Sequence, residues 1–122
     1  MVVAGIVMYL YLKSGRGGSL LARCYVRDVG KALSIAERLE SAGLRPNVVP
    51  AGSYYMVYIA TADLLKLVEK NDAVRKAMAL YLAEKGKNGT PRQREIAKKL
   101  LQRHHFFLSS QSPHRLLDIA MR

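Results

Sequence analysis

The sequence predicts an α+β domain of order β-β-α-β-β-α-α, a four-stranded antiparallel sheet with helices on one face. Three observations predict it. Two pairs of Tyr-, Val- and Leu-rich segments alternate with period two about glycine-containing turns. An apolar stripe of helical period separates the two pairs, and further stripes follow the second. The chain has 122 residues, half of them hydrophobic, which suits one core and excludes wholesale disorder. The domain is expected over residues 1–103. Residues 104–122 form a tail that reads equally as a short strand, a helix or a disordered segment.

The first pair runs Ile6–Lys13 and Ser19–Arg27 and flanks SGRGGS, whose Gly15, Gly17 and Gly18 suit a hairpin turn. In the first strand Met8, Leu10 and Leu12 oppose Tyr9, Tyr11 and Lys13. In the second, Leu20, Ala22, Cys24 and Val26 oppose Leu21, Arg23, Tyr25 and Arg27. One face is therefore apolar and the other carries Tyr, Lys and Arg, as in a half-buried antiparallel pair. Asp28 is the expected cap of a helix whose stripe is Ala32, Ile35, Ala36 and Leu39, with Gly43, Leu44 and Pro46 as its stop.

The second pair is expected at Arg45–Val49 and Ser53–Ala60, joined through Pro50-Ala51-Gly52. On its second strand Tyr54, Met56 and Tyr58 share one face and Tyr55, Val57 and Ile59 the other. Thr61 is the expected N-cap of the next helix, with Asp63 in its first turn and a break near Asn71-Asp72. Val74, Ala77, Met78, Tyr81 and Leu82 carry the stripe on to Gly86. The last helix has the strongest start: Thr90 as N-cap, Pro91 at its first position and Gln93 closing a capping box. Ile96, Ala97, Leu100 and Leu101 lie inside it.

Composition narrows the function. Twenty Lys and Arg against nine Asp and Glu give a net charge of +11, which suits a polyanionic partner. The excess is uneven. Residues 1–60 carry seven basic against three acidic residues, 61–84 four against four, and 85–122 nine against two. The one cysteine, Cys24, excludes a disulfide framework and a Cys-rich zinc site. His104, His105 and His114 have no second cluster at ligand spacing to join them. SGRGGS lacks the Lys-Ser/Thr and the strand–loop–helix setting of a phosphate loop. No carboxylate pair suggests general acid–base chemistry. The balance leans against an enzyme, with no cofactor and no metal expected. The twelve apolar residues at the start are too few to span a bilayer, which needs about 20. They follow no basic stretch, so a cytoplasmic protein without a membrane partner is expected.

The candidate site is a nucleic-acid surface. Tyr9, Tyr11, Lys13, Arg16, Arg23, Tyr25 and Arg27 are expected together on the first hairpin, where Lys and Arg meet phosphates or base edges and Tyr stacks. Arg92, Arg94, Lys98 and Lys99 offer a second basic surface on the last helix.

The order hairpin, helix, hairpin, helices resembles the half-domain of LAGLIDADG homing endonucleases. The segment AERLESAGLRPNVVPAGSYYMVYIATADLL is similar to that family's helix, glycine, second hairpin and entry to the next helix, and the resemblance covers roughly residues 6–103. It implies a sheet that lies in the DNA major groove and a homodimer joined through the helices that bear the motif. Val3-Ala4-Gly5-Ile6-Val7 resembles the apolar part of that motif, but Met8 stands where its metal-binding acid would be. The resemblance thus implies a degenerate member that keeps the DNA-binding sheet. The expected function is binding of nucleic acid, double-stranded DNA ahead of RNA, without cleavage by the chain alone. The alternatives are a metal-dependent endonuclease that assembles its acids across a dimer, and an RNA- or ribosome-associated structural protein.

Overall fold

The expected first strand, Ile6–Lys13, is interrupted at Met8. The computed structural model describes residues 1–15 and 18–104. In it β1 (Val2–Val3) and β2 (Ile6–Val7) form a small antiparallel pair through Ala4 and Gly5. Both turn residues have positive φ, 52° and 80°, as the tightest hairpin turns require. The Arg38 guanidinium donates to the Ala4 carbonyl at 3.0 Å and ties this turn to the first helix. Only Tyr9–Lys13 remains for the main sheet, as β3. Ile6–Lys13 is therefore not one continuous strand.

The main sheet adds β4 (Ser19–Val26), β5 (Asn47–Ala51) and β6 (Tyr54–Ile59), in the order β3-β4-β6-β5. Arg23 pairs with Tyr58, Tyr25 with Met56, and Cys24 with Val57; Val57 in turn faces Val48. The second hairpin turns at Gly52-Ser53, so Pro50 lies within β5 opposite Tyr55 and not in the turn. β5 is an edge strand, where a residue without an N–H is tolerated.

Helix α1 (Val29–Ser41) packs against β5 and β6 and buries Ala32, Ala36 and Leu39. Its start and stop are those expected. The Asp28 carboxylate accepts from the Gly30 N–H at 3.0 Å. At the other end Gly43, at φ 85°, lets its own N–H reach the Glu40 carbonyl while the Leu44 N–H reaches that of Leu39. These two hydrogen bonds close orphan helix carbonyls, and the buried Leu44 supplies the accompanying apolar contact.

Three further helices follow: α2 (Thr61–Lys70), α3 (Asp72–Asn88) and α4 (Pro91–His104). Thr61 does not cap α2. Its hydroxyl instead accepts from the Leu20 N–H at 3.0 Å and donates to the Leu20 carbonyl at 2.8 Å. β6 ends at Ile59, the partner of Ala22, so Leu20 lies beyond the ladder and the Thr61 hydroxyl replaces its missing strand neighbour. The break at Asn71 is where it is expected, and Asn71 itself caps α3 by accepting from the Val74 N–H. Gly86 does not stop α3. It is buried inside the helix, close to Ala97 and Lys98 of α4.

Packing divides the chain into two compact units. The sheet unit comprises Met1–Tyr11 and Leu20–Lys66; the helical unit comprises Leu12–Ser19 and Leu67–Arg122. The core of the first is built from Met8, Leu20, Ala22, Leu39, Val57, Ile59 and Leu64, all fully buried. In the second, Val74, Met78 and Leu82 of α3 pack with Ile96, Ala97, Leu100 and Leu101 of α4. There Gly18, at φ 64°, lies against Ile96 so closely that a Cβ would stand 2.7 Å from its Cδ1. The Leu12 N–H donates to the Tyr81 hydroxyl at 2.9 Å. Among the described residues no helix is long and apolar enough to cross a membrane.

Candidate nucleic-acid interface

Residues directly opposite one another in an antiparallel pair point to the same side. The register therefore puts Arg23 and Tyr25 of β4 on one face with Tyr58 and Met56 of β6, and alternation adds Tyr54. The opposite face, with Ala22, Cys24, Val57 and Ile59, is buried. Leu21, expected on the open face, is also buried, so that face opens at Arg23.

The arginines of the open face lie on tyrosine rings. The Arg23 guanidinium carbon stands 3.7 Å from the centre of the Tyr11 ring and 5.5 Å from that of Tyr25. Arg27 lies 5.0 Å from the Tyr54 ring and donates to the Tyr54 hydroxyl at 3.0 Å. A cation over an aromatic face is attracted to the ring's negative π cloud, and the contact also holds a flexible side chain in one orientation. Tyr9, Tyr25 and Tyr54 remain 67%, 47% and 38% exposed. β3 to β6 contain no Asp or Glu. The acids of the sheet unit lie elsewhere: Asp28 at the helix cap, Glu37 and Glu40 on α1, and Asp63 in α2.

The structure thus brings together Tyr11, Arg23 and Tyr25 of the expected set and places Tyr9 on the same strand face as Tyr11. Arg27 joins through Tyr54. Lys13 is exposed at the end of β3 but belongs to the helical unit. Arg16 and the tail from residue 105 lie outside the described residues. Sequence reasoning missed Tyr54, Met56 and Tyr58 as members of this surface. Their shared period was visible, and only the pairing of β6 with β4 joins that face to Arg23 and Tyr25.

The second basic surface is α4. The capping box forms in both directions: Gln93 N–H to Thr90 Oγ1 at 3.2 Å and Thr90 N–H to Gln93 Oε1 at 3.1 Å. It sets the helix so that Arg92, Arg94, Lys98, Lys99 and Arg103 are all exposed. Glu95, the one acid of α4, lies 3.2 Å from Arg92 and 3.4 Å from Lys99. Gly18, Arg92, Ile96, Lys99, Leu100 and Arg103 line a hollow of about 100 Å³.

Two ionisable groups of the sheet unit are buried away from the open face. Asp63 accepts from the Arg45 N–H at 2.7 Å and stands 3.5 Å from the Lys66 ammonium, so it braces the start of α2. Burial pushes the Cys24 thiol above its usual pKa. Among the described residues no group of three or more His, Cys, Asp or Glu side chains is placed to hold a metal ion.

Comparison with protein-family models, with curated proteins and with solved structures finds no match to this chain. The functional reading rests on the two surfaces themselves.

Proposed function

We propose that this protein binds nucleic acid without cutting it, meeting bases with the open sheet face and phosphates with the outer face of α4. The observation that carries the reading is the sheet face. Tyrosines with exposed rings surround two oriented arginines, and no carboxylate on the strands repels a phosphate. The charge supports the same partner, because Lys and Arg that neutralise phosphates release condensed counterions. Double-stranded DNA is the ligand to which the LAGLIDADG resemblance points. The α4 face suits duplex and single strand alike, since both offer phosphates to Lys and Arg.

Titration of labelled oligonucleotides at several salt concentrations tests the proposal. With about five phosphates contacted, log affinity for duplex should fall against log salt with a slope of about −4 to −5. Binding that is absent at low salt, or flat against salt, sinks the reading. Magnesium or manganese should yield no nicking of duplex DNA. Nicking that disappears in Asp28→Asn or Asp63→Asn would restore the endonuclease alternative.

A further inference from the structure

We propose that the open sheet face takes an unpaired strand, RNA or DNA, and binds it by stacking bases on Tyr9, Tyr25 and Tyr54. This rests on the nucleic-acid reading above and specifies the form of the ligand. Three observations carry it. The first is the composition of the face. Five of the seven tyrosines of the chain, Tyr9, Tyr11, Tyr25, Tyr54 and Tyr58, lie on it, spread over β3, β4 and β6.

The second is its charge. The sheet unit holds six Lys and Arg against four Asp and Glu, a net +2, whereas the helical unit holds fourteen against five, a net +9. A surface that gripped duplex through its backbone would carry the larger excess. The third is the state of the two arginines. Arg23 and Arg27 are already laid on Tyr11 and Tyr54, which orients them and leaves further N–H groups as donors beyond the one Arg27 gives to Tyr54.

The geometry of the ligand then decides between its forms. In a duplex each base is stacked above and below, so its π faces are closed to an outside ring. An unpaired strand can splay its bases, and each then offers a face to a tyrosine and an edge to an adjacent arginine. Strands about 4.8 Å apart put rings on neighbouring strands within reach of successive nucleotides. Stacking tolerates every base, so modest sequence preference is expected and would come from Arg23 and Arg27.

The test is fluorescence anisotropy with the full chain and three labelled 12-mers of one sequence: single-stranded RNA, single-stranded DNA and duplex DNA. At 150 mM salt at least one single strand should bind about tenfold or more tighter than duplex. Tyr9→Ala and Tyr25→Ala should each weaken single-strand binding by about tenfold and change duplex binding less than about twofold. Tyr25→Phe keeps the ring and should keep most of the affinity. Both positions are exposed, so circular dichroism should show an unchanged fold. Duplex binding as tight as both single strands, or Ala variants that leave single-strand binding intact, overturns this inference alone. Binding of none of the three overturns the nucleic-acid reading with it. Whichever single strand binds tighter identifies RNA or DNA as the source of the unpaired bases.

Discussion

The sheet unit and the helical unit expose surfaces built by opposite means. The sheet unit buries one face under α1 and leaves the other aromatic, with its two arginines laid on tyrosine rings. The helical unit packs α3 on α4 and turns five basic side chains of α4 outward, countered there by Glu95 alone. One surface is aromatic with two arginines, and the other is densely charged and chemically plain. Net charge and surface detail therefore fall on different units. Most of the +11 sits on the unit whose surface carries the least geometric detail.

The largest expected effects test whether the cores, unlike the surfaces, are equivalent. Leu39 in α1 and Leu82 in α3 are both fully buried. Leu39→Ala and Leu82→Ala should each lose about 2–5 kcal/mol in chemical denaturation, from lost burial and the cavity left behind. A loss below about 1 kcal/mol for Leu82→Ala would mean that α3 and α4 do not form a packed core. Cys24 gives a second view of the sheet unit. Its thiol is buried and its raised pKa keeps it protonated at pH 8, so iodoacetamide should label the folded chain about a hundredfold more slowly than the unfolded one. Labelling at the unfolded rate would show that α1 leaves the sheet readily.

The next prediction sharpens the contrast between the surfaces. Arg23→Ala combined with Arg27→Ala should weaken nucleic-acid binding by roughly 10- to 100-fold and change any sequence or structure preference, because oriented donors read base edges. Lys98→Ala combined with Lys99→Ala should weaken every ligand about equally and flatten the salt slope by about one unit per lost contact. If the helix variant abolishes binding and the sheet variant leaves it untouched, α4 is the recognition element and the sheet face is structural.

Much of this contrast was legible in the sequence, and the parts that were not share a cause. Local signals acted as expected. Asp28, Gly43, Asn71 and the Thr90–Gln93 box each depend on atoms within a few residues of themselves. The alternation of Arg23 and Tyr25 with Cys24 and Val26 likewise needs only the strand period. What escaped depends on partners distant in sequence. Thr61 looked like a cap because nothing local shows that Leu20 lacks a strand neighbour. Gly86 looked like a stop because its role, close approach to Ala97, lies on another helix. Pro50 looked like a turn residue because only the strand order makes β5 an edge. Tyr54 and Tyr58 were visible as a pattern, yet their membership of the site follows from the pairing of β4 with β6. Ala4-Gly5 is the exception. That signal was local, and the apolar run of residues 1–12 hid it.

The smallest effect concerns how α4 is held. Thr90 and Gln93 satisfy each other's backbone N–H groups at 3.2 and 3.1 Å, both in exposed positions. Thr90→Ala removes the acceptor for the Gln93 N–H and should cost about 1 kcal/mol of stability. Gln93→Ala removes the reciprocal bond and should cost less, because the Thr90 N–H can turn to water. Neither residue is charged, so a cap that only starts the helix leaves the phosphate contacts of Lys98 and Lys99, two turns further on, in place. Salt slopes measured on Thr90→Ala at a temperature where it stays folded should therefore match those of the parent. A slope reduced by a full unit would mean that the first turn of α4 frays far enough to release a basic side chain from the surface. The two surfaces would then differ in rigidity as well as in charge: tyrosine rings hold the arginines of the sheet, while the cations of the helix are held only by the helix.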